Sequence, residues 1–90
     1  MPDPALHDTG ARFEMDEQGL TSFANYHRQD GRLFIDYVFS PPELRGSGAA
    51  GRLMTAVGQQ ARAEGLRITP ICSYAKAWLQ RSRDFADLMD

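Results

Sequence analysis

The sequence predicts a mixed α/β domain, α+β by a strict label. An antiparallel three-stranded meander is followed by one long helix and a fourth strand parallel to the third. Three observations carry this. Residues 11–39 hold three runs rich in β-branched and aromatic side chains, separated only by short turn clusters. Residues 48–64 repeat apolar side chains at helical spacing. Residues 66–71 form another short apolar run, and a strand reached through a helical crossover can lie parallel to the strand before it.

Residues 1–10, with two prolines and little pattern, read as a loose tail, and 11–90 as one domain. Ala11 to Met15 is the first strand. Asp16-Glu17-Gln18-Gly19 is a turn cluster. In the second strand, 20–28, Ser22, Ala24 and Tyr26 share one face, with Thr21, Phe23, Asn25 and His27 on the other. Gln29-Asp30-Gly31 closes a hairpin, because Asp-Gly supplies positive φ cheaply. Residues 32–39 are the third strand, and Pro41-Pro42 ends its pairing. In the helix, Ala50, Leu53, Met54, Val57 and Ala61 form the buried stripe, while Arg52, Gln59, Arg62 and Glu64 lie away from it. Gly58 inside the helix costs about 1 kcal/mol against alanine, which a close approach to the sheet would explain. Gly65 suits the C′ position. Residues 74–81 and 84–89 are short helical candidates.

Ninety residues support one modest core. A net charge of −2 gives no electrostatic reason to expect nucleic acid as a partner. No run of 18 apolar residues suggests a membrane span, and no signal-peptide core is visible. Cys72 is the only cysteine, so no internal disulfide forms, and a reducing, cytoplasmic setting is expected. Neither His7 nor His27 has a partner at ligand spacing, so no metal is expected. Asp84, Asp87 and Asp90 read most simply as a solvated face.

The segment from Pro41 to Gly51, Pro-Pro-Glu-Leu-Arg-Gly-Ser-Gly-Ala-Ala-Gly, carries the chemistry. It runs from a strand through glycines into a helix start. Glycines let backbone approach a ligand, and the first helix amides have no internal partner and sit at the positive end of the macrodipole. A phosphate or pyrophosphate suits such a place. The plain alternative is a turn before a helix. No lysine follows the glycines as a P-loop requires, and the third glycine of the dinucleotide fingerprint is missing.

Arg45-Gly46-Ser47-Gly48-Ala49-Ala50 does fit Arg/Gln-x-x-Gly-x-Gly/Ala. With Ala63-Glu64-Gly65-Leu66, Pro70-Ile71-Cys72-Ser73-Tyr74 and Ala77-Trp78-Leu79, the chain resembles the GNAT superfamily of N-acetyltransferases over residues 11–88. The closer resemblance is to its compact single-domain branch, the YjdJ-like small acetyltransferases. The resemblance implies acetyl-CoA as cosubstrate and transfer of its acetyl group to an amine. It implies that the amides of Gly46, Ser47, Gly48, Ala49, Ala50 and Gly51 hold the pyrophosphate, with Arg45 neutralising charge or meeting the adenosine end. Phe39 and Ser40 would pair their backbone with the pantetheine arm.

It also implies that Cys72 lies in the acetyl cleft, as a proton acceptor or donor. From spacing alone, Cys72 reads as a small buried apolar residue. Tyr74 reads as a general acid or a pocket wall, or as a hydroxyl anchored at the surface. The chain departs from the superfamily at several places. Leu79 stands where larger members carry a tyrosine acid, and Tyr37 and Phe39 stand where the compact branch carries His and Glu. Ser82-Arg83-Asp84-Phe85 replaces a His-Pro-Glu-aromatic segment. An open cleft on so short a chain suits a protein lysine or N-terminus as acceptor. The departures favour an alternative from another class, a CoA or acyl-CoA binding module with little or no catalysis.

Overall fold

The computed structural model describes residues 5–89. Five strands form one sheet in the order β1-β2-β3-β4-β5: β1 (Leu6–Asp8), β2 (Arg12–Glu17), β3 (Leu20–Gln29), β4 (Arg32–Phe39) and β5 (Arg67–Pro70). The first four pair antiparallel and β5 lies parallel to β4, as the crossover through helix α1 (Ala49–Glu64) demands. A second helix, α2 (Ser73–Arg81), follows β5.

The β2–β3 and β3–β4 hairpins close on two residues. Gln18 and Gly19, then Asp30 and Gly31, all take positive φ, the backbone that a right-twisted two-residue turn requires. On β3, Ser22, Ala24 and Tyr26 are the buried set. Ala24 and Tyr26 meet Phe13 and Met15 of β2 and Leu33 and Ile35 of β4 beneath Leu53, Met54, Val57 and Ala61 of α1. Phe13 stacks on Tyr26 with ring centroids 4.2 Å apart.

The helix stripe differs from expectation in its first turn, and Gly58 is buried in it as well. Ala49 is buried and Ala50 only partly so, because Gly48 takes a left-handed conformation and the helix begins at Ala49. At the other end Gly65, also left-handed, donates to the Arg62 carbonyl, and Leu66 donates to that of Ala61 at 2.9 Å. That pair of bonds is the Schellman arrangement.

Three further differences have physical causes. Residues 6–8 are not a loose tail. Asp8-Thr9-Gly10 makes an Asx turn, with the Gly10 amide on the Asp8 carboxylate at 2.9 Å, and this folds β1 back along β2. Residues 1–4 of the expected tail lie outside the described residues, as does Asp90. The last expected helix, 84–89, is only a single 3-10 turn at Ala86–Leu88, and Met89 bridges to Ile68 beside β5. Asp87 is not merely solvated, since it takes two hydrogen bonds from Arg62, at 3.2 and 2.9 Å.

Gly58 is explained by that C-terminal segment, not by the sheet. A Cβ there would lie 2.8 Å from the Phe85 ring, which is itself stacked near Trp78 and lies under Arg62. Gly58→Ala is therefore expected to lower stability. Overpacking costs about 1–3 kcal/mol, more than the ~1 kcal/mol that alanine gains over glycine in a helix. Urea unfolding checks this, and a stabilised variant would show that Phe85 gives way freely.

A second tie joins β1, β3 and α1. Arg28 forks onto Glu64 with two bonds of 2.8 Å, donates to Asp8 at 3.1 Å and to the Tyr26 hydroxyl at 2.7 Å, while Tyr26 donates to Asp8. Arg28 and Gln60 hold the Glu64 carboxyl below its ordinary range. Burial alone raises Asp8, but hydrogen bonds from Tyr26, the Gly10 amide and Arg28 outweigh it and lower it. Carboxyls lowered in the folded state give stability that is present above their unfolded values, about 4, and lost as pH falls from there through their lowered folded values. Arg28→Met is expected to flatten the acid side of the stability profile, measured as the urea midpoint between about pH 6 and 3. An unchanged slope would remove this cluster from acid sensitivity.

Candidate functional site

The site begins where β4 and β5 part. Across the β3–β4 ladder, Tyr26 faces Ile35 but Asn25 faces Tyr37, so Asp36 is an extra residue, a bulge. The bulge reverses which residues face inward. Leu33 and Ile35 point into the core before it; after it, Val38 packs on the core and Ser40 is buried. Tyr37 and Phe39 are turned to the other face, where both rings lie near Phe23. On the β5 side pairing ends at the same place. The amides of Ile71 and Cys72 both donate to the Ile35 carbonyl, at 2.9 and 3.0 Å, and the chain turns into α2.

Pro41 then breaks the strand, and a 3-10 turn, Pro42–Leu44, leads into the glycine loop. Leu44 is buried and anchors it. The Ser47 amide donates to the Leu44 carbonyl at 3.1 Å and its hydroxyl turns back to the same oxygen. The amides of Gly46, Gly48, Ala49, Ala50 and Gly51 have no acceptor among the described residues, and no side chain caps α1. Ser47 thus departs from the expected anion cradle, because its amide is already committed inside the loop.

Two residues to which the sequence pattern assigns no site role hold the loop in place. The Arg52 guanidinium donates to the Ser47 carbonyl at 2.9 Å and grips Glu17, with a shortest contact of 2.7 Å. Their signal in the sequence is weak, since Glu17, which ends β2 where the pattern reads a turn, is 35 positions away from Arg52. Arg45 lies across the ring of Phe39 and donates from Nε to the Ser40 carbonyl at 3.0 Å.

Two cavities meet here. One, of about 360 Å³, is bordered by Leu44 to Gly46 and Gly48 to Gly51 of the loop, together with Ser40 and Tyr74. The other, of about 280 Å³, runs along the end of β4, past Tyr37, Val38 and Phe39. Ser40, Arg45, Ala50 and Tyr74 border both, so they form one groove from the amide loop to the gap beside β4. Gly51 carries no side chain against Trp78, whose Nε1 would lie 3.5 Å from a Cβ at that position.

The profile of the GCN5-related N-acetyl-transferase family matches residues 12–88. The chain belongs to that family. Its fold agrees: a candidate GCN5-like N-acetyltransferase of Staphylococcus aureus, solved by NMR, superposes with a TM-score of 0.76 at 26% identity. The match covers 100% of this chain and 91% of that one. A search of curated proteins found no significant match.

Within this member of the family, the two expected catalytic residues part company. Tyr74, in the first turn of α2, borders both cavities and is 40% exposed. Burial raises its phenol above the ordinary value, with the Cys72 thiol adding to this and Arg81 opposing it. Tyr74 therefore keeps its proton at neutral pH and can donate it. Cys72 caps α2, packs half-buried against the core and is not among the residues bordering either cavity. Phe39, Ser40, Arg45, Gly46, Gly48, Ala49, Ala50 and Gly51 do border the groove; Ser47 does not. Among the described residues no group of three or more His, Cys, Asp or Glu is placed to hold a metal ion. No described helix is long and apolar enough to cross a membrane.

Gly48 has φ of +88°, and a Cβ there would sit 3.1 Å from Arg52 Nη1. A left-handed residue with a Cβ costs about 1–2 kcal/mol. Gly48→Val is expected to lose at least that much stability by urea unfolding and to loosen the Arg52–Ser47 tie. Wild-type stability in the variant would show that the loop does not need its left-handed turn.

Proposed function

We propose that this chain is an acetyl-CoA-dependent N-acetyltransferase that passes the acetyl group to an amine, with a protein lysine or N-terminus as acceptor. The family it belongs to generally uses acetyl-CoA. The observation that carries the reading is the single groove from the unpaired loop amides to Tyr74. Its shape and lining fit the cosubstrate in parts. Unpaired amides at a helix start, with Arg45 beside them, suit the pyrophosphate. The bare end of β4 at Phe39 and Ser40 suits the amide-rich arm. The thioester then lies toward Tyr74 and Tyr37. The neutral acceptor nitrogen forms a bond to the acetyl carbon, the carbon–sulfur bond breaks, the departing sulfur takes a proton from the donor, and the proton shed by the nitrogen restores that donor, leaving an amide and the free thiol. Tyr74 is the donor within the groove, and Cys72, two residues away, is the second candidate.

Among the described residues bordering the groove, the ionisable side chains are Arg45, Tyr37 and Tyr74. No carboxylate or imidazole is among them, so the acceptor supplies its own neutral fraction. The same observation favours the second reading, a CoA-binding module with little catalysis. Turnover decides between them.

Acetyl-CoA is expected to raise the melting temperature, because it binds the folded state only. ADP should do less and NAD little; no shift at millimolar acetyl-CoA would end the assignment. In single-turnover acetylation of a peptide, Tyr74→Phe should slow transfer by roughly 10²-fold, and Cys72→Ser by less. The reverse order would move the proton to Cys72. The transfer rate should climb with pH up to the acceptor's own pKa, about 8 for an N-terminus and above 10 for lysine. A plateau well below either would require a base in the protein.

A further inference from the structure

The register that pairs Phe23 with Phe39 sets Ser22 opposite Ser40, one residue beyond the end of β4. Their hydroxyl oxygens lie 3.1 Å apart. Ser22 is fully buried and Ser40 is 9% exposed. Among the described residues neither hydroxyl has another partner. Each carries one hydrogen, and a single bond between them uses only one of the two. The hydrogen of Ser22 has nowhere else to go, and a buried donor left unmade is costly. Ser22 therefore donates and Ser40 accepts.

The hydrogen of Ser40 is then left over, and Ser40 borders both cavities where they meet. Its main chain is held, since its carbonyl accepts from Arg45 at 3.0 Å and the rigid Pro41 comes next. The loop glycines Gly46, Gly48 and Gly51 lie at the anion end of the groove, while Arg45 and Ala50 border both cavities. The second cavity, toward Tyr37 and Phe39, contains none of the loop glycines. A neutral hydroxyl donor at that junction suits an uncharged acceptor oxygen.

Resting on the acetyl-CoA reading above, we propose that the Ser40 hydroxyl donates a hydrogen bond to a carbonyl oxygen of the acyl-pantetheine arm. Ser22 acts as a positioning residue that fixes the direction of that bond. A pair serving only the core would be filled as well by two apolar side chains, with no hydrogen left over.

Titration calorimetry with acetyl-CoA, CoA and adenosine 3′,5′-bisphosphate tests this on the full chain, in wild type, Ser40→Ala and the double variant Ser22→Ala/Ser40→Ala. Ser40→Ala is expected to weaken acetyl-CoA by about 3- to 10-fold, the range of one neutral hydrogen bond, and to leave the bisphosphate unchanged. An equal loss for CoA places the oxygen on a pantetheine amide, and a loss confined to acetyl-CoA places it on the thioester. The double variant removes the orphaned Ser22 donor, so it should regain stability in urea while keeping the affinity loss. Unchanged acetyl-CoA affinity in both variants overturns the proposal. So does affinity regained in the double variant, because the orphaned Ser22 would then be the cause. So does an equal loss for the bisphosphate. If wild type binds none of the three ligands, the acetyl-CoA reading itself has failed; if wild type binds and the variants match it, only the Ser40 hydrogen bond has.

Discussion

At Ile35 one carbonyl receives two amides, those of Ile71 and Cys72, and there the parallel pairing of β4 with β5 stops. On the other side of the same strand, Asp36 bulges out of the β3 ladder. Both departures fall within two residues, and together they shape the groove. The bulge turns Tyr37 and Phe39 to the outer face and leaves Ser40 buried against Ser22. The loss of β5 leaves the last residues of β4 without a strand partner on one side. A sheet continuing in register would have filled that gap with its own backbone and left no room beside the strand.

The glycine loop depends on this geometry but is steadied from elsewhere. Arg45 ties it to the Ser40 carbonyl, Leu44 plugs it into the core, and Arg52 ties it to Glu17 at the far end of β2. The loop amides are thus held in position before any ligand arrives, and a preorganised donor set binds an anion without the entropy cost of ordering the loop. Two ties of similar kind hold the remaining edges. Arg28 draws β1, β3 and α1 together, and Arg62 with Phe85 presses the C-terminal segment onto α1 at Gly58. A small chain buries a limited core, and these arginine forks lie where its elements would otherwise part.

Much of the fold could be read locally. The two tight hairpins rest on Gly19 and on Asp30-Gly31, residues that favour the positive φ their turns need, with Gln18 carried along. The stop of α1 rests on Gly65 in the same way. β4 runs over Arg32–Phe39 as its side chains suggest, and Pro41 ends it. The glycine loop announced itself because its chemistry is backbone chemistry, written in glycines and a helix start. β1 escaped notice because three residues carry no period; its one sign was the Asx turn of Asp8-Thr9-Gly10.

The sequence by itself determined the order of elements from β2 onward, the two tight turns, which residues of β3 share a face, most of the buried face of α1, and the place of the loop. Each of these depends on neighbours within a few positions. Only the tertiary structure decided that Asp36 bulges, that Gly58 meets Phe85 rather than the sheet, and that Tyr74 borders the groove while Cys72 does not. It also decided that Glu17 supports Arg52 and that Ser22 faces Ser40. Those facts join residues far apart in the chain. A pairing register, or the side on which a helix lies, depends on how all the faces pack at once, and no local pattern of residues encodes that.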